Sequence, residues 1–506
     1  MKIQSAVAGA LSLVGLASAA DSSWHDLAVS VPHYGRYLYR TASEEPFFWQ
    51  ADTAWELIHR LNKTSIDFYL RTRAEQGYNV VQTVVISELN GTTRTNFYGD
   101  LPFSNSDSTK PNEAYFELVD WTVDLAASYG ILIVLVPTWG MYVNGGWHNF
   151  DRIFNESNAY KWGQYIGNRY PGLPKILGGD SNALWSWNMS AVQNAYNENP
   201  DQDLVSMLAP VEDTSSVWAS MWTQGLGKST RLRFVGDLPS HQHVDRQTRG
   251  GPYGHATPDP TNTFSPAIGW DSTKNYECIA EMRDKFTGPV IDLENHYEGA
   301  HDSFDLDKVI WNASHICTGL CHGVYSGASG FTYGANSVWQ MYEPRTALLR
   351  DSDWFPAQIN QNESGSWRED IYFEDATQAK YVTKPLSGLS TAVLESLEPA
   401  RELLSSPSNH TGKSVNTYEG TRYISILASK ILDRFYVYTG HGDSFALDLG
   451  DGSRSSRSGS TTWLSPRDGQ YYASSTVDVP ANNARVDFYP PTTGGIDNDW
   501  LLVLEF

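Results

Sequence analysis

The sequence predicts an α/β protein, a (β/α)8 barrel followed by a small antiparallel β-sandwich. Two near-continuous apolar runs, Val80–Ile86 and Ile131–Val136, are typical of parallel strands covered on both faces. Between them, Asn112 and Gly130 mark the start and the end of an amphipathic helix. After about residue 350, short β-branched and aromatic segments separated by Gly, Asn, Asp, Ser and Pro indicate antiparallel strands.

The first twenty residues predict a signal peptide, which we exclude from the fold (residues 1–20). Lys2 precedes the short apolar run Ala6–Ala17, and Ala17-Ser18-Ala19 resembles a cleavage site. Together with seven Asn-x-Ser/Thr sequons, this leader predicts a secreted, extracellular glycoprotein. The predicted glycosylation sites are Asn62, Asn90, Asn155, Asn188, Asn312, Asn362 and Asn409.

The charge of the chain argues against two classes of binding partner, nucleic acids and membranes. The 506 residues include 36 Lys and Arg against 58 Asp and Glu, a formal net charge of -22. Such an acidic surface repels phosphate backbones and anionic lipids, so we predict neither nucleic-acid nor membrane binding. The oligomeric state stays open. Three cysteines are too few for a disulfide scaffold; Cys278 either bonds to Cys317 or Cys321, or all three are buried thiols.

Eight candidate strands, interrupted by helical segments, fit a closed barrel better than an open nucleotide-binding sheet. Neither a Gly-x-Gly-x-x-Gly turn after the first strand nor a P-loop Lys is present in the sequence. The predicted strands are Phe47–Asp52, Val80–Ser87, Ile131–Thr138, Lys175–Gly178, Leu204–Pro210, Arg233–Leu238, Pro289–Asp292 and Gly330–Tyr333.

The domain boundaries follow from the change in pattern near the C-terminus. We predict a catalytic barrel domain over residues 21–404, which ends in a helical stretch from Leu386 to Leu404 that is interrupted near Pro399. Residues 405–414 are predicted to form a linker, and residues 415–506 the sandwich. Its predicted strands are Tyr423–Leu427, Arg434–Tyr438, Thr461–Leu464, Ala484–Phe488 and Trp500–Leu504.

In a (β/α)8 barrel the active site lies at the carboxyl ends of the strands. The residues that follow the predicted strands are mainly carboxylates and aromatic rings, the side chains that glycoside cleavage requires. Aromatic faces pack on the C–H patches of sugars, while one carboxyl group protonates the leaving oxygen and another attacks or activates water. The candidate catalytic residues are Asp180 and Glu294, and the candidate substrate-binding residues are Asp52, Trp55, Glu88, Trp139, His243, Tyr297, Tyr333 and Trp339.

Each candidate also has a structural interpretation. The Gly-Gly-Asp segment at Asp180 is common in tight turns, and Trp55 and Trp339 are equally compatible with a core position. Asp292, nearer the strand interior than Glu294, is the better candidate for a structural ion pair. His243 lies in Ser-His-Gln-His, which lacks a carboxylate at ligand spacing, so we predict no metal and no cofactor.

Several segments, in order along the chain, resemble the apiosidase-like glycoside hydrolase family. They are Phe47–Leu61, Lys110–Phe116, Pro137–Gly140, Ile176–Asp180 and Tyr333–Tyr342, and Trp463–Gly469 resembles the accompanying β-domain often labelled as collagen-binding. The resemblance implies a (β/α)8 hydrolase with Asp180 as acid/base and Glu294 as nucleophile. The family's activity is removal of apiose from pectin. This sequence departs from the family at Asp292-Leu293-Glu294-Asn295, usually Asp-Gly-Glu-Pro, and at Phe331, usually His.

The sequence therefore predicts a secreted glycoside hydrolase that acts on plant or microbial polysaccharide with retention of configuration. The alternative is a catalytically inactive carbohydrate-binding or cell-wall adhesion protein on the same barrel. The two differ in whether Asp180 and Glu294 face one cavity. The sugar, the linkage, and exo or endo action are left open.

Overall fold

A computed structural model provides the structure of the protein. It describes residues 24–30, 35–87, 90–139, 141–144, 152–177, 205–207, 276, 279, 283, 289–301, 309–343, 365–406, 421–450, 456–481 and 484–506. A small antiparallel sheet precedes the barrel and consists of β1 (Val29–Ser30), β2 (Leu38–Arg40) and β3 (Pro46–Phe47).

The barrel contributes six parallel strands to the described part of the chain. In spatial order they run β8-β7-β6-β5-β4-β9, so the first barrel strand, β4, lies between the second and the last. This is the neighbour relation that closes a (β/α)8 barrel. The strands are β4 (Trp49–Thr53), β5 (Val80–Val84), β6 (Leu132–Val136), β7 (Lys175–Leu177), β8 (Val205–Met207) and β9 (Gly330–Tyr333).

The seventh barrel position is marked by a bridge rather than a full strand. Asp292 pairs in parallel with Phe331 of β9, which places residues 289–292 next to the last strand, as predicted. The predicted strand Arg233–Leu238 lies outside the described residues. An α/β barrel is thus confirmed by the parallel pairing and by the closure between β4 and β9.

Helices cover the outside of the strands, and α3 begins and ends where the sequence predicts. Asn112 caps α3, with its side-chain oxygen accepting the Ala114 N–H at 3.3 Å. Gly130 ends the helix segment with a φ of 76°, a conformation that glycine adopts without a Cβ penalty. The helices are α1 (Leu57–Arg60), α2 (Lys63–Glu75), α3 (Glu113–Ser128), α4 (Met141–Asn144), α5 (Glu156–Arg169), α6 (Ala313–Tyr325), α7 (Asn336–Trp339), α8 (Trp367–Asp370), α9 (Glu374–Gln378) and α10 (Thr391–Leu394). Among the described helices, none combines the length and apolar character that crossing a bilayer requires.

The C-terminal domain packs a six-stranded antiparallel sheet and a three-stranded one around its own apolar core. Phe435, Val437, Leu447, Trp463 and Leu502 lie in this core. Its strands are β10 (Leu397–Pro399), β11 (Leu404–Ser406), β12 (Ile424–Ser429), β13 (Arg434–Thr439), β14 (Phe445–Asp448), β15 (Arg457–Leu464), β16 (Tyr471–Val479), β17 (Arg485–Phe488) and β18 (Trp500–Glu505).

The predicted helical stretch Leu386–Leu404 is wrong beyond α10. Leu397–Pro399 pairs with β12, and Leu404–Ser406 pairs with β14, so both segments belong to the sandwich. Partner strands more than twenty residues away determine this conformation, and the local apolar spacing does not reveal them. The sandwich therefore begins before the predicted linker at 405–414.

Helix α6 joins the barrel to the sandwich. His322 of α6 lies 2.8 Å from the Ser425 hydroxyl of β12, and the Cys317 thiol lies 3.5 Å from an Asp499 carboxylate oxygen. Cys317 and Cys321 are buried free thiols, so the interpretation as free thiols holds for these two. Cys278 lies outside the described residues.

Candidate active site

Gln82 of β5 identifies the inner face of the barrel. Its amide nitrogen donates to the Thr53 hydroxyl at 3.1 Å and to the Leu293 carbonyl at 2.9 Å. Leu293 follows the seventh barrel position, which is not a neighbour of β5, so the Gln82 side chain must extend across the barrel interior. Thr53 and Gln82 therefore point inward, together with the alternate residues of their strands.

A hydrogen-bond chain at the inner end of the barrel, which is the inner face at the carboxyl ends of the strands, positions Glu294. The Tyr297 hydroxyl donates to the Glu294 carboxylate and accepts the Trp55 indole N–H at 3.1 Å. Trp55 follows the first strand and Glu294 the seventh. The chain thus joins two strand ends that the sequence predicts to meet and fixes the orientation of one carboxylate oxygen of Glu294.

Two further tryptophans complete what we call the aromatic cluster, namely Trp55, Trp139, Tyr297 and Trp339. The Trp55 and Trp139 rings meet edge to face with centroids 5.1 Å apart, and the Tyr297 and Trp339 centroids are 6.0 Å apart. Gly334 makes room for this packing, because an added Cβ there would lie 2.3 Å from the Tyr297 ring. Five of the predicted site residues therefore lie together.

A family model described as "Apiosidase-like, catalytic domain" matches residues 32–392 of this sequence, which is well over half of the chain. The chain belongs to the apiosidase-like family. A second family model, "Putative collagen-binding domain of a collagenase", matches residues 413–505. No curated protein matches the sequence.

Solved structures agree on the fold of this apiosidase-like chain. A glycoside hydrolase structure matches with a TM-score of 0.69 and 19% identity over 95% of this chain and 97% of the other. A family 5 glycoside hydrolase from Bacteroides vulgatus ATCC 8482 matches with a TM-score of 0.70 and 20% identity, covering 95% and 94% of the two chains. At such identities the likeness concerns the fold, while membership of the family makes the chain a glycoside hydrolase.

Asp52 does not join the inner group, contrary to the sequence-based expectation. Its carboxylate pairs with Arg73 at 2.6 Å and accepts a hydrogen bond from Tyr69, and both partners belong to helix α2. Asp52 alternates with the inward-pointing Thr53, so it lies on the outer face of β4 against the helices. We therefore remove Asp52 from the substrate-binding set and assign it a structural ion pair.

Tyr333 is also on the outer face. It is paired with Asp52 in the parallel register of β4 and β9, and its hydroxyl donates to Glu298 at 2.7 Å. Burial raises the pKa of Glu298 to about 7. Phe331 shares this face by alternation, so the departure from the family's His does not lie in the barrel interior. Tyr333 is likewise withdrawn as a substrate contact.

Asp292 and Asn295 have structural partners near Glu294. The Asn295 amide donates to the Asp292 carboxylate at 3.1 Å, and its oxygen accepts the His296 N–H at 2.8 Å. An added Cβ at Gly319 of α6 would lie 2.7 Å from Asn295, so the Asn295 side chain packs on that helix. Asn295, where the family usually has Pro, is thus accommodated by a small residue of α6.

Sequence reasoning missed three polar residues of the inner end, Thr53, Gln82 and Glu56. Gln82 stands out as a polar residue inside an otherwise apolar strand, and this signal was available. Glu56 directly follows Trp55 and is completely buried, with Ser87, His59 and Arg60 as partners of its carboxylate. Its sequence context, at the start of the short helix α1, resembles an ordinary surface carboxylate.

Several predicted residues lie outside the described part of the chain. They are Asp180, Glu88, His243, Asn188, Asn362 and Asn409. Of the other sequons, Asn62, Asn155 and Asn312 are helix N-caps whose side-chain oxygens accept backbone N–H groups, and Asn90 occupies a turn with a φ of 64°.

One group of described residues has the spacing of metal ligands. The ligand atoms of Cys317, Cys321 and Asp499 lie within 4.8 Å of one another. Arg467 pairs with the Asp499 carboxylate, which also accepts the Tyr438 hydroxyl at 3.1 Å. The hydrogen bond with Cys321, together with burial, raises the pKa of Cys317. The Arg467 guanidinium already neutralises the Asp499 carboxylate, and both thiols favour their protonated form. These residues therefore fit a metal ion poorly.

Proposed function

We propose that this chain is a secreted glycoside hydrolase that cleaves a glycosidic bond in plant or microbial polysaccharide with retention of configuration. Glu294 acts as the nucleophile and Asp180 as the acid/base. The observation that carries the proposal is the chain from Trp55 through Tyr297 to Glu294 at the inner end of the barrel strands. A buried carboxylate oriented by a neutral donor and surrounded by aromatic rings suits attack on a sugar.

The reaction has two displacements. In the first, a Glu294 oxygen forms a bond to the anomeric carbon while the glycosidic C–O bond breaks and Asp180 gives its proton to the leaving oxygen. In the second, Asp180 takes a proton from water, whose oxygen bonds to the anomeric carbon as the bond to Glu294 breaks. Glu294 and Asp180 return to their starting protonation states. The Tyr297 hydroxyl stabilises the negative charge of Glu294 before the attack and again when the bond between Glu294 and the anomeric carbon breaks.

The aromatic cluster supplies the surface for the sugar. The C–H faces of a pyranose or furanose match an indole plane, and Trp55, Trp139 and Trp339, which are almost completely buried near the strand ends, are the indoles placed to offer one. A phosphorylated sugar would instead need basic residues around the phosphate, and the strongly acidic chain does not favour one.

Sugar release from pectic and hemicellulosic oligosaccharides tests the hydrolase directly. We expect Glu294→Gln and Asp180→Asn to reduce release by about a thousandfold or more while oligosaccharide binding persists. Asp292→Asn, a carboxylate two residues from Glu294 that is held by Asn295, is the matched control and should retain most of the activity. Binding without release by the parent protein would favour the inactive carbohydrate-binding alternative.

The stereochemical outcome tests the mechanism separately. Retention requires carboxyl groups about 5–5.5 Å apart, whereas inversion requires roughly 6.5–9.5 Å. We expect proton NMR of the first released sugar to show the anomer of the substrate, and a fluorinated glycoside to label Glu294. Release of the opposite anomer would refute the nucleophile assignment without affecting the hydrolase.

Secretion is tested on the protein produced by a eukaryotic host that secretes and glycosylates proteins. The leader predicts a mature N-terminus near residue 21 and a mass that falls on endoglycosidase treatment. Retention of the protein inside the cells, with Met1 intact and no glycan, would contradict this part of the proposal.

A further inference from the structure

Glu56 links the aromatic cluster to its supporting loops. Its carboxylate accepts hydrogen bonds from the Ser87 hydroxyl and from His59 Nδ1 at 2.8 Å, and Arg60 Nε lies 3.4 Å away. Its backbone N–H donates to the Trp339 carbonyl at 3.0 Å. One completely buried residue thus connects the segment after the first strand to the segment after the second strand through its carboxylate, and to the segment after the eighth strand through its backbone N–H.

Hydrogen bonds extend this connection to the segment after the third barrel strand and to the loop after the second. The Ser87 carbonyl accepts the Tyr142 hydroxyl at 2.8 Å, and the Tyr142 N–H donates to the Trp139 carbonyl at 3.2 Å. On the other side, His59 Nε2 lies 3.3 Å from the Arg94 carbonyl. The carboxylate and the amide of one residue therefore reach the segments that carry Trp55, Trp139 and Trp339.

The charge of Glu56 is stabilised where it lies. Burial by itself raises the pKa of Glu56, but the hydrogen bond and charge of His59, the charge of Arg60 and the Ser87 hydroxyl together bring it below its ordinary value. An ionised, multiply hydrogen-bonded carboxylate is a rigid junction, because each contact that breaks leaves a buried charge less well compensated.

We propose that Glu56 is a positioning residue that sets the geometry of the aromatic cluster and, through Trp55 and Tyr297, the orientation of Glu294. This inference rests on the proposed hydrolase function. In the described part of the chain, the hydrogen-bond and ion-pair partners of the Glu56 carboxylate are Ser87, His59 and Arg60, so Glu56 acts on the backbone segments that carry the aromatic cluster. A shift of about 1 Å in such a segment can lower a rate by about a hundredfold.

The test compares two buried carboxylates four residues apart, Glu56 and Asp52. Both are completely buried and both accept charged partners, but Asp52 lies on the outer face of β4. We expect Glu56→Gln to lower kcat by about 10- to 100-fold, to change KM less, and to alter the near-ultraviolet circular dichroism of the Trp55–Trp139 pair. Asp52→Asn is expected to lower stability but to leave the kcat of the folded protein and that spectrum unchanged.

Ser87→Ala removes one contact of Glu56 without leaving a buried cation, and serves if Glu56→Gln does not fold. We expect it to change kcat and the spectrum in the same direction by a smaller factor. A parental kcat in folded Glu56→Gln or Ser87→Ala overturns the inference, as does an equal loss of kcat in Asp52→Asn. If the parent cleaves no glycoside, the hydrolase proposal fails, and a Glu56→Gln spectrum identical to the parent's then overturns the positioning role as well.

Discussion

Two groups of buried polar side chains lie back to back on the same barrel strands. The inner group surrounds Glu294 with neutral donors, the Tyr297 hydroxyl and, behind it, the Trp55 indole. The outer group lies between strands and helices and contains Asp52, Arg73, Glu298 and Asp375, whose charges all act on the buried Tyr78 hydroxyl. Burial and a strand-end position therefore do not distinguish a site from its scaffold; the face of the strand does.

The groups also differ in how their charges are compensated. Asp52 has Arg73, whereas neither carboxylate oxygen of Asp375 has a hydrogen-bond donor in the part of the chain that the structure describes. Burial raises the pKa of Asp375, and the Glu298 and Asp499 carboxylates raise it further. The charges of the outer group therefore affect the stability of the fold, whereas the inner group affects the reaction.

The largest expected effect is on the outer face. Asp52→Asn leaves the Arg73 guanidinium buried without its anion, so we expect a loss of about 3–5 kcal/mol in the free energy of unfolding. The control is Asp120→Asn, whose partly exposed pair with Arg169 should contribute at most about 1 kcal/mol. Urea unfolding measures both, and equal losses would show that the outer pair is not special.

The next effect is a dependence of stability on pH. Because the folded-state pKa of Glu298, about 7, is above its ordinary value, the folded protein binds the proton more tightly than the unfolded chain. This contribution is fully present below about pH 4.5 and is lost as the pH rises through about 7.

Thermal unfolding between pH 5 and pH 8 measures this dependence. We expect Glu298→Gln to reduce, but not to abolish, the loss of stability between pH 5 and pH 8. A part remains because the pKa of Asp375 is raised as well, and because Tyr333 and Arg73 lose their interactions with the Glu298 carboxylate. A variant with the same slope as the parent would remove Glu298 as its source.

The comparison is sharpest for two tyrosine hydroxyls on opposite faces. Tyr297→Phe removes the link between Trp55 and Glu294, and we expect kcat to fall by about 10- to 100-fold. Tyr333→Phe removes the hydroxyl that donates to Glu298 and should leave kcat within about twofold. Steady-state kinetics of both variants on one glycoside measures this difference. Similar losses of kcat in the two variants would show that the two faces do not differ in their role in catalysis.

The smallest expected effect concerns a predicted glycosylation site on the surface. The Asn155 side-chain oxygen accepts the Ser157 and Asn158 N–H groups, and a glycan on its nitrogen is compatible with this cap. We expect Asn155→Ala to cost about 1 kcal/mol and one glycan, and Asn155→Asp to lose the glycan but keep the cap. Intact-mass measurement and urea unfolding separate the two; a mass unchanged in Asn155→Asp would show that this sequon is unused.

Much of the architecture follows from local sequence patterns. Apolar runs, Asn112 and Gly130 indicate the strands and the boundaries of α3, because short-range hydrogen bonding and burial select them. The residues after the strand ends brought Trp55, Trp139, Glu294, Tyr297 and Trp339 into one predicted site, since a closed parallel sheet places those ends at one rim.

Which face of its strand each side chain occupies depends instead on packing between distant parts of the chain. Parallel strands are buried on both sides, so the alternation that reveals orientation in a half-exposed strand is absent, and Asp52 and Tyr333 looked like rim residues. Leu397–Pro399 became a strand because β12 pairs with it. Glu56 acquired its junction from Ser87 and the Trp339 carbonyl, which fold to it from distant parts of the chain. Local sequence cannot encode these partners, because their contact energies arise only when the barrel and the sandwich fold.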